Sequence, residues 1–600
     1  MNSRIVAFFI SQNQENSDEY MNAAKHLATL SNEFGLRIYH EKVHSNNIIL
    51  CFEGAIENLI QRMDGVITFC VGPALSQKMS GHFADNNNLS VIRDRFLKIS
   101  IGAKSIIIVN DYAGTIPVYY SLRDTISLSN IEPVTVLDSH TTANDISVAN
   151  MYGFLRYSHY IWDETLYNHI FTQEPDTQYI FPYDKKKPVM FKLNTVTASK
   201  KRYNFDDYSV AKELFELNQK LVQDSLSQYD EIILPLSAGY DSRMIFSAIC
   251  KMPDLKLKLK CFTYGPEGSI EVESARSLCE SEEIFWENID LPCHFLDETY
   301  LKKIGLIFGS SLHFHGMYQL EFWDCIKSKI NSNNFVLTSG FMTGVPAGQH
   351  ISLLNIQNYE EPLILAMNKF SQSNYFSDDE LLGCSDLFPK NAIKNAELKF
   401  RQAFNRLDGS LYNKSVMFDI WTRQRNFIAY YPRTLEWEGL CVSPHMTPEY
   451  ANFFLSLSDR HLKDRLAVEL MFKHFYADQG AVLSNSNGVK AIGNPFETIK
   501  FLILNHFHGQ KIKERIPKRY WNTPIQFNIK AIKYSKKEGL WPIFNLNKDA
   551  QRNFHKYFPE SLVTKWYHES ISGSIESYEK LVFIQSIAYG LSISKNLKNV

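Results

Sequence analysis

One junction constrains the fold of this chain more than any other. The apolar run Ile232-Ile233-Leu234-Pro235-Leu236 passes directly into Ser237-Ala238-Gly239-Tyr240-Asp241-Ser242 and on into Arg243-Met244-Ile245. A short apolar strand, a turn of small residues and an apolar segment that starts like a helix form the repeating unit of a parallel α/β sheet. Further apolar runs follow at 257–263 and 335–338 with helix-like segments between them, and the helical spacing of Val210, Leu214, Leu217, Leu221 and Leu226 precedes them. The alternation predicts a parallel sheet. The turn itself suits an anion: small residues let backbone N–H groups approach phosphate oxygens, a helix N-terminus adds partial positive charge, and the Ser237 and Ser242 hydroxyls can donate. Asp241 is unsuited to bare phosphate but suited to a Mg²⁺ that neutralises it. The same residues also suit a plain strand-to-helix turn with a cap.

Upstream the pattern is different. Short β-type runs at 48–52, 65–69 and 104–109 are separated by turn clusters, and the last reads as a hairpin with 117–121. The apolar stretch at 5–10 reads as a first strand. The charged stretch Asp184-Lys185-Lys186-Lys187-Pro188 is either the edge of this sheet-rich region or a hairpin tip. Beyond 378 the pattern is mostly helical, with long segments at 392–406 and 414–430. Six hundred residues exceed one ordinary core, and the composition shifts divide the chain into 1–190, 200–495 and 496–600. A net charge of −2 lacks the basic excess of a nucleic-acid binder, so nucleic acid is not an expected partner. Nine cysteines without a C-x-x-C pair argue against a zinc ribbon and suit a reducing compartment. With no apolar run of membrane-spanning length and no leader-like N-terminus, a cytoplasmic location without a transmembrane segment is expected. His313-Phe314-His315 has no third ligand at metal spacing, and the basic stretch 511–520 reads as a solvated helix face.

Ser237-Ala238-Gly239-Tyr240-Asp241-Ser242 resembles the S-G-G-x-D-S pyrophosphate loop of the asparagine synthetase family. Other stretches resemble it in the same order. Cys261-Phe262-Thr263-Tyr264 is similar to the strand whose end lines the adenine site, and Glu271-Val272-Glu273-Ser274-Ala275 to the acidic segment after it, with Glu271 the better match. Leu337-Thr338-Ser339-Gly340 resembles the strand-S-G element on the other side of the nucleotide. In the first region, 110–120 resembles the R-D-x-x-G-x-x-P-L-Y-Y stretch, and 165–176 the T-x-F-x-x-I…P-G stretch. The resemblance runs over roughly 1–495. It implies an α/β protein with an N-terminal Ntn-hydrolase-like α+β sandwich, then an adenine-nucleotide α-hydrolase-like (PP-loop) doubly wound parallel-sheet domain, and a helical C-terminal extension.

The sequence also departs from the family. Glutamine-using members carry a catalytic Cys after Met1; Asn2 has no nucleophile, and Ala55 stands where an acidic glutamine-binding residue is expected, so the glutaminase is absent. The family's S-G-E-G-A-D-E continues here as Ser339-Gly340-Phe341-Met342-Thr343-Gly344, with both acids replaced. Whether another acid, such as Glu267, Glu271 or Glu273, takes their place is left open by the sequence. The resemblance implies ATP held by Leu236, Ser237, Ala238, Gly239, Asp241, Ser242, Phe262, Thr263, Ser339 and Gly340, with Asp241 on Mg²⁺. It places Glu436 or Glu438 as acid/base, Arg423 or Arg425 as a carboxylate or phosphate clamp, and Lys490 against developing negative charge. A solvated, salt-bridged helix face is the plainer account of these helical residues. The implied activity is carboxylate adenylation followed by attack of an amine, on a small-molecule, sugar-acid or peptide carboxylate. A scaffold that kept the fold without turnover, and asparagine synthesis from free ammonia, are the alternatives.

Overall fold

The protein is described by a computed structural model covering residues 3–73, 94–121, 123, 125–185, 187–197, 205–265, 267–291, 298–314, 317–350, 376, 380–381, 383, 388, 391–480, 548–572 and 574–593. Strand Arg4–Ser11 is buried along its whole length and is the spine of a 12-stranded mixed sheet. The expected first strand is therefore present. From one end the strands run Ile170–Thr172, Tyr119–Ser121, Ser127–Ser129, Arg4–Ser11, Val66–Val71, Leu97–Ile101, Ser105–Asn110, Thr177–Pro182 and Val189–Lys192. Asn46–Glu53 also pairs with the spine, antiparallel from Arg4↔Glu53 to Ser11↔Asn47, with an irregularity between Ile5 and Ala7. The sheet curls on itself. Tyr120, on the second strand of the path, brings its ring within 6.0 Å of Tyr179 and 5.4 Å of Phe181, on the eighth. Phe8, Leu50, Phe69, Ile99 and Ile108 fill the space inside the curl. The other face, through Val6, Phe9 and Ile49, packs on helices Asp18–Glu33 and Glu132–Asp138. This two-sided burial explains why the strands read as apolar runs rather than as alternating ones.

Two expectations for this region are settled. The 184–188 stretch is a hairpin tip, since Thr177–Pro182 pairs antiparallel with Val189–Lys192. The expected hairpin of 104–109 with 117–121 does not form. Ser105–Asn110 pairs instead with Leu97–Ile101 and Thr177–Pro182. The cause is the turn between them. Buried Asp111 accepts from Ala113 N (3.0 Å), Thr115 N and Thr115 Oγ1 (2.8 Å), which sends the chain across to the other half of the curl.

The second sheet is parallel throughout, in the order Phe285–Ile289, Leu259–Tyr264, Glu231–Pro235, Phe335–Thr338, Cys441–Val442. Alternate residues of the central strand face opposite cores. Ile232 and Leu234 meet Leu226, Ile245, Ile249 and Leu278, whereas Ile233 meets Phe322, Trp323, Ile326 and Leu435. Helices thus cover both faces, as the alternation predicts. Helix Asp207–Leu226 begins with Asp206 accepting from Ser209 N, an N-cap that meets one of the unpaired first-turn amides. One apolar cluster joins the two regions and the helices Lys548–Tyr557, Glu560–Ile571 and Ile575–Ile593. No helix among the described residues is long and apolar enough to cross a membrane, and the described cysteines are all free.

Between the first sheet and the helices, Glu132 is 1% exposed and accepts from Ser310 N (2.5 Å) and Ser310 Oγ (2.9 Å). Gly309 permits this approach: its φ is +57°, and a Cβ there would lie 2.5 Å from Glu132 Oε2. Burial pushes the Glu132 carboxyl from 4.5 up to about 8, against the opposing pull of the Ser310 hydrogen bonds. The folded state therefore keeps a proton that the unfolded chain releases, and the contribution to stability falls as pH rises from about 4.5 to about 8. The slope approaches about 1.4 kcal/mol per pH unit. Glu132→Gln is expected to flatten that part of the pH–stability curve in urea denaturation; an unchanged slope would show that Glu132 is ionised in the fold.

Candidate functional site

The ends of three adjacent strands of the parallel sheet are tied together. Leu236 N donates to Phe262 O (2.8 Å), Thr263 Oγ1 to Leu236 O (2.9 Å), and Trp286 Nε1 to Thr263 Oγ1 (2.9 Å). The small-residue turn that follows is folded on its own serines. Ser237 N donates to Ser242 Oγ (3.1 Å), the two hydroxyls lie 3.0 Å apart, and Gly239 N donates to Ser237 Oγ (3.2 Å). Helix Tyr240–Cys250 starts directly after it. From the other side come Ser339 and Gly340, where Ser339 N is anchored on Val442 O (2.9 Å). A Cβ at Gly340 would lie 2.9 Å from Asp241 C and 3.1 Å from Ser242 N, so glycine is required for this approach. Leu236, Ser237, Ala238, Gly239, Asp241, Ser242, Phe262, Thr263, Ser339 and Gly340 therefore converge on one crevice. It lies at the carboxyl ends of Glu231–Pro235 and Phe335–Thr338, where the strand order reverses, the position at which open α/β sheets bind ligands.

The surroundings of Asp241 differ from those of a metal ligand. Gly344, at the position that carries the family's second acid, faces the ends of the Gln349 and Asp241 side chains: a Cβ there would lie 2.4 Å from Gln349 Oε1 and 2.6 Å from Asp241 Oδ1. Among the described residues no group of three or more His, Cys, Asp or Glu could hold a metal ion. Glu271 accepts from Ala238 N (2.6 Å), and Glu267 and Glu273 pair with Arg276, so none of the three moves into the missing position. A protein-held Mg²⁺ does not fit this donor set. Asp241 instead faces Arg465, whose NH1 lies 3.7 Å from Oδ1. Burial pushes the Asp241 carboxyl up, and the fields of Arg465 and then His350 hold it down. About a third of the side chain is open to solvent, which makes the upward push partial.

His350 is the functional candidate that reading the sequence missed. It ends the turn segment after Gly340 and pairs through Nδ1 with Asp419 Oδ2. Asp419 is buried at the end of helix Leu411–Asp419, where the π-helical stretch Ile420–Ile428 begins, and it also accepts from Gln424 Nε2 (3.2 Å). A buried carboxylate on one ring nitrogen fixes the orientation of an imidazole whose other nitrogen remains available for proton transfer. The only sequence signal was a histidine in a glycine-rich stretch; its partner stands 69 residues away. His445 is a different case. It bridges Thr343 Oγ1 (2.8 Å) and Asn218 Oδ1 (2.7 Å), and burial pushes it down to about 3, so it is a neutral strut.

The helical acid and base candidates are committed elsewhere. Arg425 donates to Gly114 O (3.1 Å), Trp162 O (3.0 Å), Thr172 Oγ1 (3.2 Å) and Gln173 O, all in the first region. A guanidinium spent on carbonyls is not a clamp for phosphate, and this corrects the expectation. Glu436 likewise pairs with buried Arg95 (2.8 Å), beside Asp94, and its backbone carbonyl accepts from Arg4. Burial pushes its carboxyl up while Arg95 holds it down. It ties the two sheets together rather than serving the crevice. Glu438 is half-buried, with its carboxyl pushed up by burial and held down by Lys303, and Arg423 lies over the Phe427 ring at 5.6 Å. Lys490 and the 511–520 stretch lie outside the described residues, as does His315; His313 packs between Phe427 and Phe583, at 4.4 and 4.5 Å. No family model matches the chain, and no curated protein matches it.

Proposed function

We propose that the chain is an ATP-dependent amide-forming ligase of the asparagine synthetase type, without a glutaminase, acting in the cytoplasm. In this reading the curled sheet is an Ntn-hydrolase-like sandwich that lacks its nucleophile, and the parallel sheet is a PP-loop domain. The observation that carries it is the crevice at the strand-order reversal, where ten residues named from the resemblance meet although they come from three separate stretches of chain. ATP supplies the activation, because a carboxylate resists attack by an amine until its oxygen becomes part of a good leaving group. The helix Tyr240–Cys250 presents its N-terminus to the departing pyrophosphate, and Ser237 and Ser242 add hydroxyls. His350, oriented by Asp419, takes the proton that the attacking amine must lose. The acid is a small-molecule, sugar-acid or peptide carboxylate.

A nucleotide-binding scaffold without turnover is the second reading. It is favoured by Glu271, which occupies the Ala238 amide that a phosphate oxygen would use. Pyrophosphate release from ATP under a panel of carboxylates and amines separates the two. The ligase reading expects release that depends on the carboxylate, amide that forms only when the amine is also present, and a fall in release of about ten- to a hundred-fold in Ser242→Ala, which removes a hydroxyl from the pyrophosphate turn. Calorimetric binding of ATP with no release under any pair favours the scaffold.

A further inference from the structure

Beside the first turn of helix Tyr240–Cys250 lies a cation without an acceptor. Arg465 is 5% exposed, yet among the described residues its guanidinium makes no hydrogen bond. Its contacts are Asp241 Oδ1 at 3.7 Å, beyond hydrogen-bond reach, and the Tyr240 ring at 4.9 Å. Asp241 Oδ1 is itself buried without a hydrogen-bond partner. Its five N–H donors have no hydrogen-bond acceptor among the described residues, so the fork is free to take an anion without giving up a bond inside the protein. The residue is held there deliberately by the backbone: Asp464 and Arg465 both take positive φ, +55° and +58°, just ahead of helix Leu466–Phe475.

The same place lacks what a metal would need. Gly344 stands where the second acid would be, so among the described residues one carboxylate remains here. An arginine can take over the electrostatic part of the missing ion's task. It is always charged, its planar fork matches phosphate oxygens, and facing Asp241 it also cancels the carboxylate's repulsion of an anion. We infer that Arg465 binds the polyphosphate tail in this crevice, in the carboxylate–cation–phosphate order that a metal ion would otherwise occupy. The nucleotide is then held with little dependence on divalent cations. The inference rests on reading the crevice as a nucleotide site.

Calorimetry on the full chain tests it, with pyrophosphate and ATP as probes, each in EDTA and in excess Mg²⁺. Wild type is expected to bind pyrophosphate in EDTA within about threefold of its affinity with Mg²⁺, since the charge is built in. Arg465→Gln is expected to lose about ten- to a hundred-fold in EDTA and to regain part of that with Mg²⁺, while Arg465→Lys falls between. Because Arg465→Gln also leaves Asp241 without its counter-charge, the double variant Asp241→Asn/Arg465→Gln is the stability control: it should melt near wild type and still lose pyrophosphate in EDTA, whereas a much lower melting temperature together with lost binding would make the residue structural and overturn the inference. Wild-type binding that requires Mg²⁺, or unchanged binding by Arg465→Gln, overturns it and leaves the nucleotide reading standing. Failure of wild type to bind either probe under both conditions removes the nucleotide reading, and the inference with it.

Discussion

Arg425→Ala is expected to destabilise the fold by about 3–5 kcal/mol. The guanidinium is buried and reaches from the π-helical stretch Ile420–Ile428 to four acceptors in the first region. Its removal leaves Gly114 O, Trp162 O and Gln173 O without their donor in a place that water does not reach, and each orphaned acceptor costs about 1–3 kcal/mol. Relaxation around the space keeps the total below the simple sum. Gly114 shows how tight the junction is: its φ is +61°, and a Cβ would lie 3.1 Å from Arg425 Nε. Arg425→Lys should recover little, because an ammonium cannot reproduce the fork that meets acceptors on several loops at once. The denaturant midpoint is the measurement, and a loss below about 1 kcal/mol would show that the acceptors find other donors.

The second large effect concerns rate. Under the proposed ligase reading, His350→Ala is expected to lower amide formation about 10²–10⁴-fold while leaving nucleotide affinity within about threefold. Asp419→Asn should also be slow, because an amide at that position no longer enforces the ring orientation that the carboxylate sets. The discriminating readout is the split between the two half-reactions. Pyrophosphate release without an amine should persist in His350→Ala, added imidazole should restore part of the amide yield, and the Michaelis constant for ATP should barely move. If both half-reactions fall together with ATP affinity, the dyad is shaping the crevice and is not moving protons.

These two predictions sit on opposite sides of what a sequence can show. Arg425 and His350 were both visible as residues. The resemblance makes Arg425 a carboxylate or phosphate clamp, whereas its donors reach carbonyls more than 250 positions away in the chain. His350 was passed over because nothing near it in sequence announces Asp419. Long polar side chains commit to whichever acceptors the assembled backbone places within reach, and that information is not local. The same reason governs the first sheet. The runs at 104–109 and 117–121 were legible as strands, but their pairing depended on the buried Asp111 turn.

Short-range physics controls the part of this fold that the residues announce locally. The apolar strand, the small-residue turn and the helix start at 232–245 have no other compact solution, and successive units of that kind stack as a parallel sheet with its carboxyl ends to one side. The charges around that turn follow instead from long-range packing. Gly344 closes against Asp241, Arg465 arrives from a later helix to face it, and Glu436 is drawn away into a pair with Arg95. A buried charge is settled by the few opposite charges and donors that the fold brings within a few ångströms, and those come from distant stretches of chain.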